Sequence, residues 1–208
     1  MEVSLRRVQR EFDRINPRLS ARRDPLTDPV VDNMLAGYAK IDAFVAEDID
    51  LFALGQSKHL LELNTLVLCG ASPERRETYA RHIEANERRF YDHRHGGVRD
   101  LIEWHARHER QAAWRRAAGV YIRVLTKPQL FIEGNHRTGA LLMSYVLLRS
   151  GLPPFVLTVD VAAAYFDPST LVRSTGRDSA AAWFRLPKIR RRLVTLLREH
   201  SDRRYLLG

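Results

Sequence analysis

The stretch Pro128–Ala140, PQLFIEGNHRTGA, runs directly into the apolar segment Leu141–Leu148, and its reading organises the whole chain. Five consecutive positions hold a carboxylate (Glu133), a glycine (Gly134), an amide (Asn135), an imidazole (His136) and a guanidinium (Arg137) at the entrance to a helix. The first turn of a helix presents unpaired N–H groups and the positive end of the dipole, so an anion in front of it is stabilised. Gly134 lets the main chain approach a ligand closely, and Arg137 adds a fork of donors suited to phosphate oxygens. Glu133 has the hard oxygen donors that a divalent cation prefers. The same residues also suit a plainly capped core helix with exposed charges at its start, and the physics of the stretch alone leaves both readings open.

In order and spacing, Phe131, Glu133, Gly134, Asn135 and Arg137 match the pattern H-P-F-x-[D/E]-G-N-G-R-x-x-R, and the stretch resembles the signature of the Fic/Doc (Fido) family. Gln129 stands at the histidine, Leu130 at the proline, His136 at the third small residue and Ala140 at the second arginine. The resemblance covers roughly residues 57–154 and implies an all-α fold, a Fic-like helical bundle whose helix–loop–helix signature cradles a nucleotide's phosphates. It implies movement of part of a phosphate-containing donor, usually AMP from ATP, onto a hydroxyl of a protein or small molecule. On that pattern Glu133 holds Mg²⁺ with the donor, and Gly134, Asn135, His136 and Arg137 form the phosphate or nucleotide site. Gln129, His136 and Arg137 occupy the catalytic positions, and Phe131 packs inward.

The departures bear on chemistry. The family's histidine takes the proton from the attacking hydroxyl, a step typically worth ~10²- to 10⁴-fold, and a glutamine amide cannot do so. Three readings stay open: a pseudoenzyme that binds without transfer, a nucleophile that needs no base, or another base. His136 is nearest in sequence, and in the first helical turn it equally suits donation to a phosphate. Ala140 removes a second phosphate contact, which favours a donor other than a triphosphate. The family's self-inhibitory pattern [S/T]-x-x-x-E-[G/N] is missed, since in SKHLLELN, Ser57–Asn64, Glu62 falls one residue late.

As a whole, the 208 residues fit one soluble globular chain, 45% hydrophobic and 28% charged. A single cysteine, Cys69, excludes an intrachain disulfide and suits a reducing, cytoplasmic setting, and no stretch has the ~20 apolar residues of a membrane span. Lys and Arg number 34 against 25 acidic residues, a net charge of +9, which favours anionic partners and keeps nucleic acid as a weaker alternative.

Apolar periodicity predicts a short amphipathic helix over Met1–Ile15. Pro17, Pro25 and Pro29 then predict an extended linker, so residues 1–29 are expected to form an N-terminal helix and Pro-rich linker ahead of a Fic-like domain over 30–186. A long helix is expected over Val30–Leu54, interrupted near Gly37, then helices over Leu60–Leu68 and from Ser72 to Tyr91. His93–Gly97 forms a turn where Fic-like proteins carry a hairpin flap, so the flap is expected to be short or missing. Helices follow around Leu101–His108 and over Gln111–Leu125, with His105 and His108 read as exposed or hydrogen-bonded rather than metal-ligating. Phe155–Val161 suits a strand or a buried helix, Asp167–Ser169 and Gly176 mark turns, and Trp183 with Phe184 anchor the chain. The last segment, 187–208, is expected to be a basic helix from Pro187 to His200.

Overall fold

The computed structural model describes residues 1–206, apart from the side chain of His95; Leu207 and Gly208, the end of the expected C-terminal segment, lie outside the described residues. The first helices are α1 (Glu2–Arg10), α2 (Phe12–Ile15), α3 (Asp28–Ala46), α4 (Ser57–Cys69), α5 (Pro73–Thr78) and α6 (Ala80–Phe90). They are followed by α7 (Val98–Arg107), α8 (Ala113–Leu125), α9 (Asn135–Leu148), α10 (Ala162–Ser174) and α11 (Ala180–Glu199). The described residues form an all-helical bundle; the only ladder-type pairing among them is an isolated bridge between Lys127 and Gly176.

A helix with apolar residues on every side belongs in the middle of a bundle. The helix α9 has this character: every residue from Thr138 to Leu147 is buried, and it packs against α8, α3 and α4. Gly37 does not interrupt α3. A Cβ there would lie 2.4 Å from Leu141 Cδ1, so this glycine serves the close approach of α3 and α9. The helix ends at Ala46, and Ile49–Phe52 form a loop pinned by Tyr145, whose hydroxyl donates to Ile49 O (2.6 Å) and accepts from Leu51 N (3.1 Å).

The predicted helix from Ser72 starts as expected, with Ser72 Oγ accepting from Arg75 N, and kinks once at Tyr79. The residues after it, His93–His95, make a single 3₁₀ turn that leads straight into α7. Phe155–Leu157 lies outside any helix or strand, with Phe155 O accepting from Tyr38 and from Ser144 Oγ (3.2 Å).

Three expectations for the C-terminal third are corrected. Pro168 lies inside α10, and α11 begins at Ala180, not Pro187, with Ser179 as its N-cap. A proline within a helix removes the N–H that would bond the carbonyl four residues earlier. Those carbonyls belong to Ala164 and Trp183, both exposed, so water can take over. Trp183 and Phe184 are 80% and 75% exposed and anchor nothing, because the buried stripe of α11 is Ala182, Ile189, Leu193, Leu196 and Leu197. That stripe docks on α8 and α10 and leaves Arg191, Arg192 and Arg198 outward.

The apolar residues of the N-terminal segment are buried against the other helices. Leu5 joins the main core, and Val8, Phe12, Ile15 and Leu19 form a smaller apolar cluster with Ala162. Residues 22–27 lie outside any helix or strand, and this strap crosses the mouth of the α9 N-terminus. No helix among the described residues is long and apolar enough to cross a membrane.

Candidate anion-binding cleft

Residues 126–134 join α8 to α9, and the shape of this loop is fixed from three helices. Asn135 of α9 is buried and clasps Phe131, its Oδ1 accepting from Phe131 N (2.9 Å) and its Nδ2 donating to Phe131 O (2.8 Å). Asn86 of α6 accepts from Ile132 N (2.7 Å) and Glu133 N (3.3 Å). Asn64 of α4 donates to Glu133 O (3.0 Å) and to Thr138 Oγ1 (3.1 Å). Phe131 is 1% exposed and stacks on Phe90 at 5.2 Å. Upstream, Lys127 N donates to Thr175 O (3.1 Å) and Arg177 N to Lys127 O (2.7 Å), while Asp100 pairs with both Arg123 and Arg177.

Gly134 turns the loop into the helix at φ +76°, and a Cβ there would lie 2.7 Å from Asn64 Nδ2. It is the N-cap of α9 and makes no side-chain cap bond, so the N–H groups of Asn135, His136 and Arg137 are the orphan donors of a first turn. They open into a cleft of about 600 Å³ lined by the strap, the loop and α10.

Gln129, Glu133, Gly134, Asn135, His136 and Arg137 all line this cleft, so every sequence-predicted site residue is brought to one place. Their side chains are occupied to different degrees. Gln129 Nε2 donates to Leu125 O (3.2 Å). The Asn135 amide is used up by Phe131, leaving its main-chain N–H for a ligand. Arg137 donates one Nη1 bond to Val67 O, and burial lowers its affinity for a proton despite Glu133 nearby. Glu133 is exposed and pairs with His82 at 3.2 Å.

His136 is tied inward. Its Nε2 lies 3.2 Å from Arg23 Nη1 and its Nδ1 3.2 Å from Tyr121 Oη. A guanidinium can only donate, so Nε2 is the acceptor and the neutral ring carries its proton on Nδ1, pointing at Tyr121. Burial, then Arg23 and Arg173, push the His136 pKa down to about 3. The ring therefore stays neutral with both nitrogens engaged.

Position 140 is equally changed. Ala140 is buried beside a small, mostly apolar cavity of about 90 Å³ lined by Leu5, Leu26, Met34 and Phe166, among others, with His136 and Arg137 also on its wall. Glu62 is held by Arg76 at 2.6 Å on α4.

One pH dependence follows. His105, stacked on Phe52 at 3.9 Å, is pushed down by burial to about 4 and His136 to about 3, against an ordinary 6.5. An unfolded chain takes up these protons below pH 6.5, so the stability is fully present above that pH and is lost as pH falls towards 4 and 3. Between pH 7 and pH 5 the two groups together cost on the order of 3–4 kcal/mol. Urea unfolding at pH 7, 6 and 5 should show this decline, and His105→Gln should remove about half of it.

Sequence reasoning missed Asn64, Asn86 and Arg23. A single buried asparagine on a helix leaves no periodic trace, and Arg23 sits in a proline-flanked stretch whose composition reads as linker.

An all-helical bundle in which a loop of Fic-like pattern opens a central helix into a basic cleft is the class these features define. Over 52 residues, 25% of this chain, the sequence is 42% identical to the protein adenylyltransferases fic-1 of Caenorhabditis briggsae and Caenorhabditis elegans. The chain spans about 10% of the length of these relatives. No family model matches the chain, and no solved structure matches it. The similarity is local and supports a Fic-like relationship for that portion.

Proposed function

We propose that the cleft binds a phosphate-containing ligand, a nucleotide first among the candidates, in the manner of a Fic-like nucleotidyl-transfer site. The observation that carries this reading is the uncapped start of α9 opening, with Arg137, into a cleft of about 600 Å³. The local similarity to adenylyltransferases points to the same ligand class. Glu133 and Asp24 are the carboxylates of the cleft, and no group of three His, Cys, Asp or Glu side chains is gathered for a metal among the described residues. That donor set fits Mg²⁺ carried with ligand phosphates, which supply most of its oxygens, with Glu133 as a single protein ligand. When bound, Mg²⁺ neutralises phosphate charge; binding and orientation fall to Arg137 and the first-turn N–H groups.

The same geometry favours binding without efficient transfer in the native chain. Gln129 has no basic atom, and His136 has both ring nitrogens engaged inside the protein. An acceptor whose nucleophile needs no base remains the alternative route to transfer.

Thermal unfolding with ATP, GTP, CTP, UTP, diphosphates and CDP-linked alcohols, each with and without Mg²⁺, tests the reading. A ligand at 100 times its Kd adds about 2.7 kcal/mol, which for a chain of this size raises the midpoint by roughly 5–10 °C. The shift is expected for one donor class and should vanish in Arg137→Ala. No shift with any of them, or one indifferent to that substitution, overturns the proposal.

A further inference from the structure

The strap that precedes α3 delivers a guanidinium into the cleft, and the way it is held sets it apart from a surface arginine. Asn16 grips the main chain of Arg23 from both sides, its Nδ2 donating to Arg23 O (2.9 Å) and its Oδ1 accepting from Arg23 N (2.8 Å). Ser20 N, three residues earlier, donates to Asp167 Oδ1 (2.8 Å), which ties the strap to α10. The side chain then lies over the Phe166 ring, with its guanidinium carbon 5.3 Å from the centroid. Nη2 donates to Phe166 O (3.0 Å), Ser169 Oγ (3.0 Å) and Thr170 Oγ1 (2.7 Å). Nη1 reaches His136, in the first turn of α9 (3.2 Å).

All of these partners are neutral. Arg23 makes no ion pair among the described residues, and its Nε is buried without a hydrogen-bond partner. A half-buried cation among neutral acceptors is costly unless an anion completes it. The cleft around it is short of anions: Arg22, Arg23, Arg137 and Arg173 face Asp24 and Glu133, an excess of two positive charges before the helix dipole is added. An ordinary tether for a strap would be expected to end on a carboxylate; this one ends beside a helix start.

We propose that Arg23 is a ligand-contacting residue of the cleft, placed by the strap to pair with a doubly charged phosphoryl group seated on the α9 N-terminus. This rests on the phosphate-binding reading of the cleft and extends it: the site is incomplete without residues 16–27, and occupancy holds the strap in place. The strap is thereby a wall of the binding site, and its arginine is the specificity determinant for anionic charge.

The full chain, Arg23→Gln, Arg23→Lys and Arg137→Ala are titrated with Mg²⁺·ATP and with inorganic pyrophosphate at two salt concentrations. Trypsin cleavage after Arg22 and Arg23 is followed with and without each ligand. Loss of a charge-assisted contact predicts about 10- to 100-fold weaker binding in Arg23→Gln. Arg23→Lys, which keeps the charge and loses the fork, should fall between it and the native chain. Salt dependence should be shallower in Arg23→Gln, and ligand should slow cleavage of the native strap. Native affinity and salt dependence in Arg23→Gln overturn the role of Arg23 while the phosphate site stands. If Arg23→Gln does not fold, native affinity in Arg23→Lys together with no ligand protection of the strap overturns that role in its place. A native chain that binds neither probe overturns the role of Arg23, and the wider ligand screen above then decides the phosphate site.

Discussion

Replacing Gln129 with histidine is expected to raise AMP transfer from Mg²⁺·ATP by two to four orders of magnitude over the native chain, the usual contribution of a general base. The position is ready for it. Gln129 lines the cleft, its main-chain oxygen accepts from Arg89, and its side-chain amide donates to Leu125 O at the end of α8 (3.2 Å). An imidazole there can make the same N–H bond with one ring nitrogen, which fixes the tautomer and leaves the other nitrogen basic. Labelled ATP with the full chain, reading incorporation into the protein itself or an added hydroxyl acceptor, checks this. A variant that binds Mg²⁺·ATP as tightly as the native chain yet transfers nothing would show that the proposed chemistry is wrong for this cleft.

Phe131→Ala is expected to cost about 3–5 kcal/mol, the range for emptying a buried phenylalanine. Phe131 is 1% exposed and its ring lies parallel to that of Phe90, so its removal leaves a cavity between α6 and the loop. Against a total stability of typically 5–15 kcal/mol this is a large fraction. The thermal midpoint should drop by roughly 6–20 °C. Ligand affinity should fall with it, because the Asn135 clasp on the Phe131 main chain then holds a loop without its anchor. Chemical denaturation of the two proteins decides the matter: a loss below about 1 kcal/mol would mean that the ring is not the anchor.

The helical class was legible from the apolar spacing and the signature context, and the loop residues that matter were legible because they are consecutive. The flanking packing was not. Pro168 and Pro187 read as breaks, yet each removes a bond only from an exposed turn, a distinction that depends on which side faces water. Gly37 read as an interruption because a glycine that admits Leu141 looks the same in sequence as one that bends a chain. His136 read as a base or a phosphate donor; its engagement depends on Arg23 and Tyr121, 113 and 15 residues away. Arg23 itself was invisible for the same reason, since nothing local announces that a strap will be folded back over a distant helix start.

The three asparagines that shape the loop reach it from three different helices, and all three act only on its main chain or on Thr138. Apart from the buried Phe131, a conformation imposed through backbone atoms is indifferent to the side chains displayed on it. Positions 129 and 136 could therefore exchange one chemistry for another during descent without the loop losing its form. The arrangement separates what the loop looks like from what it does, and leaves the second open to change by single substitutions.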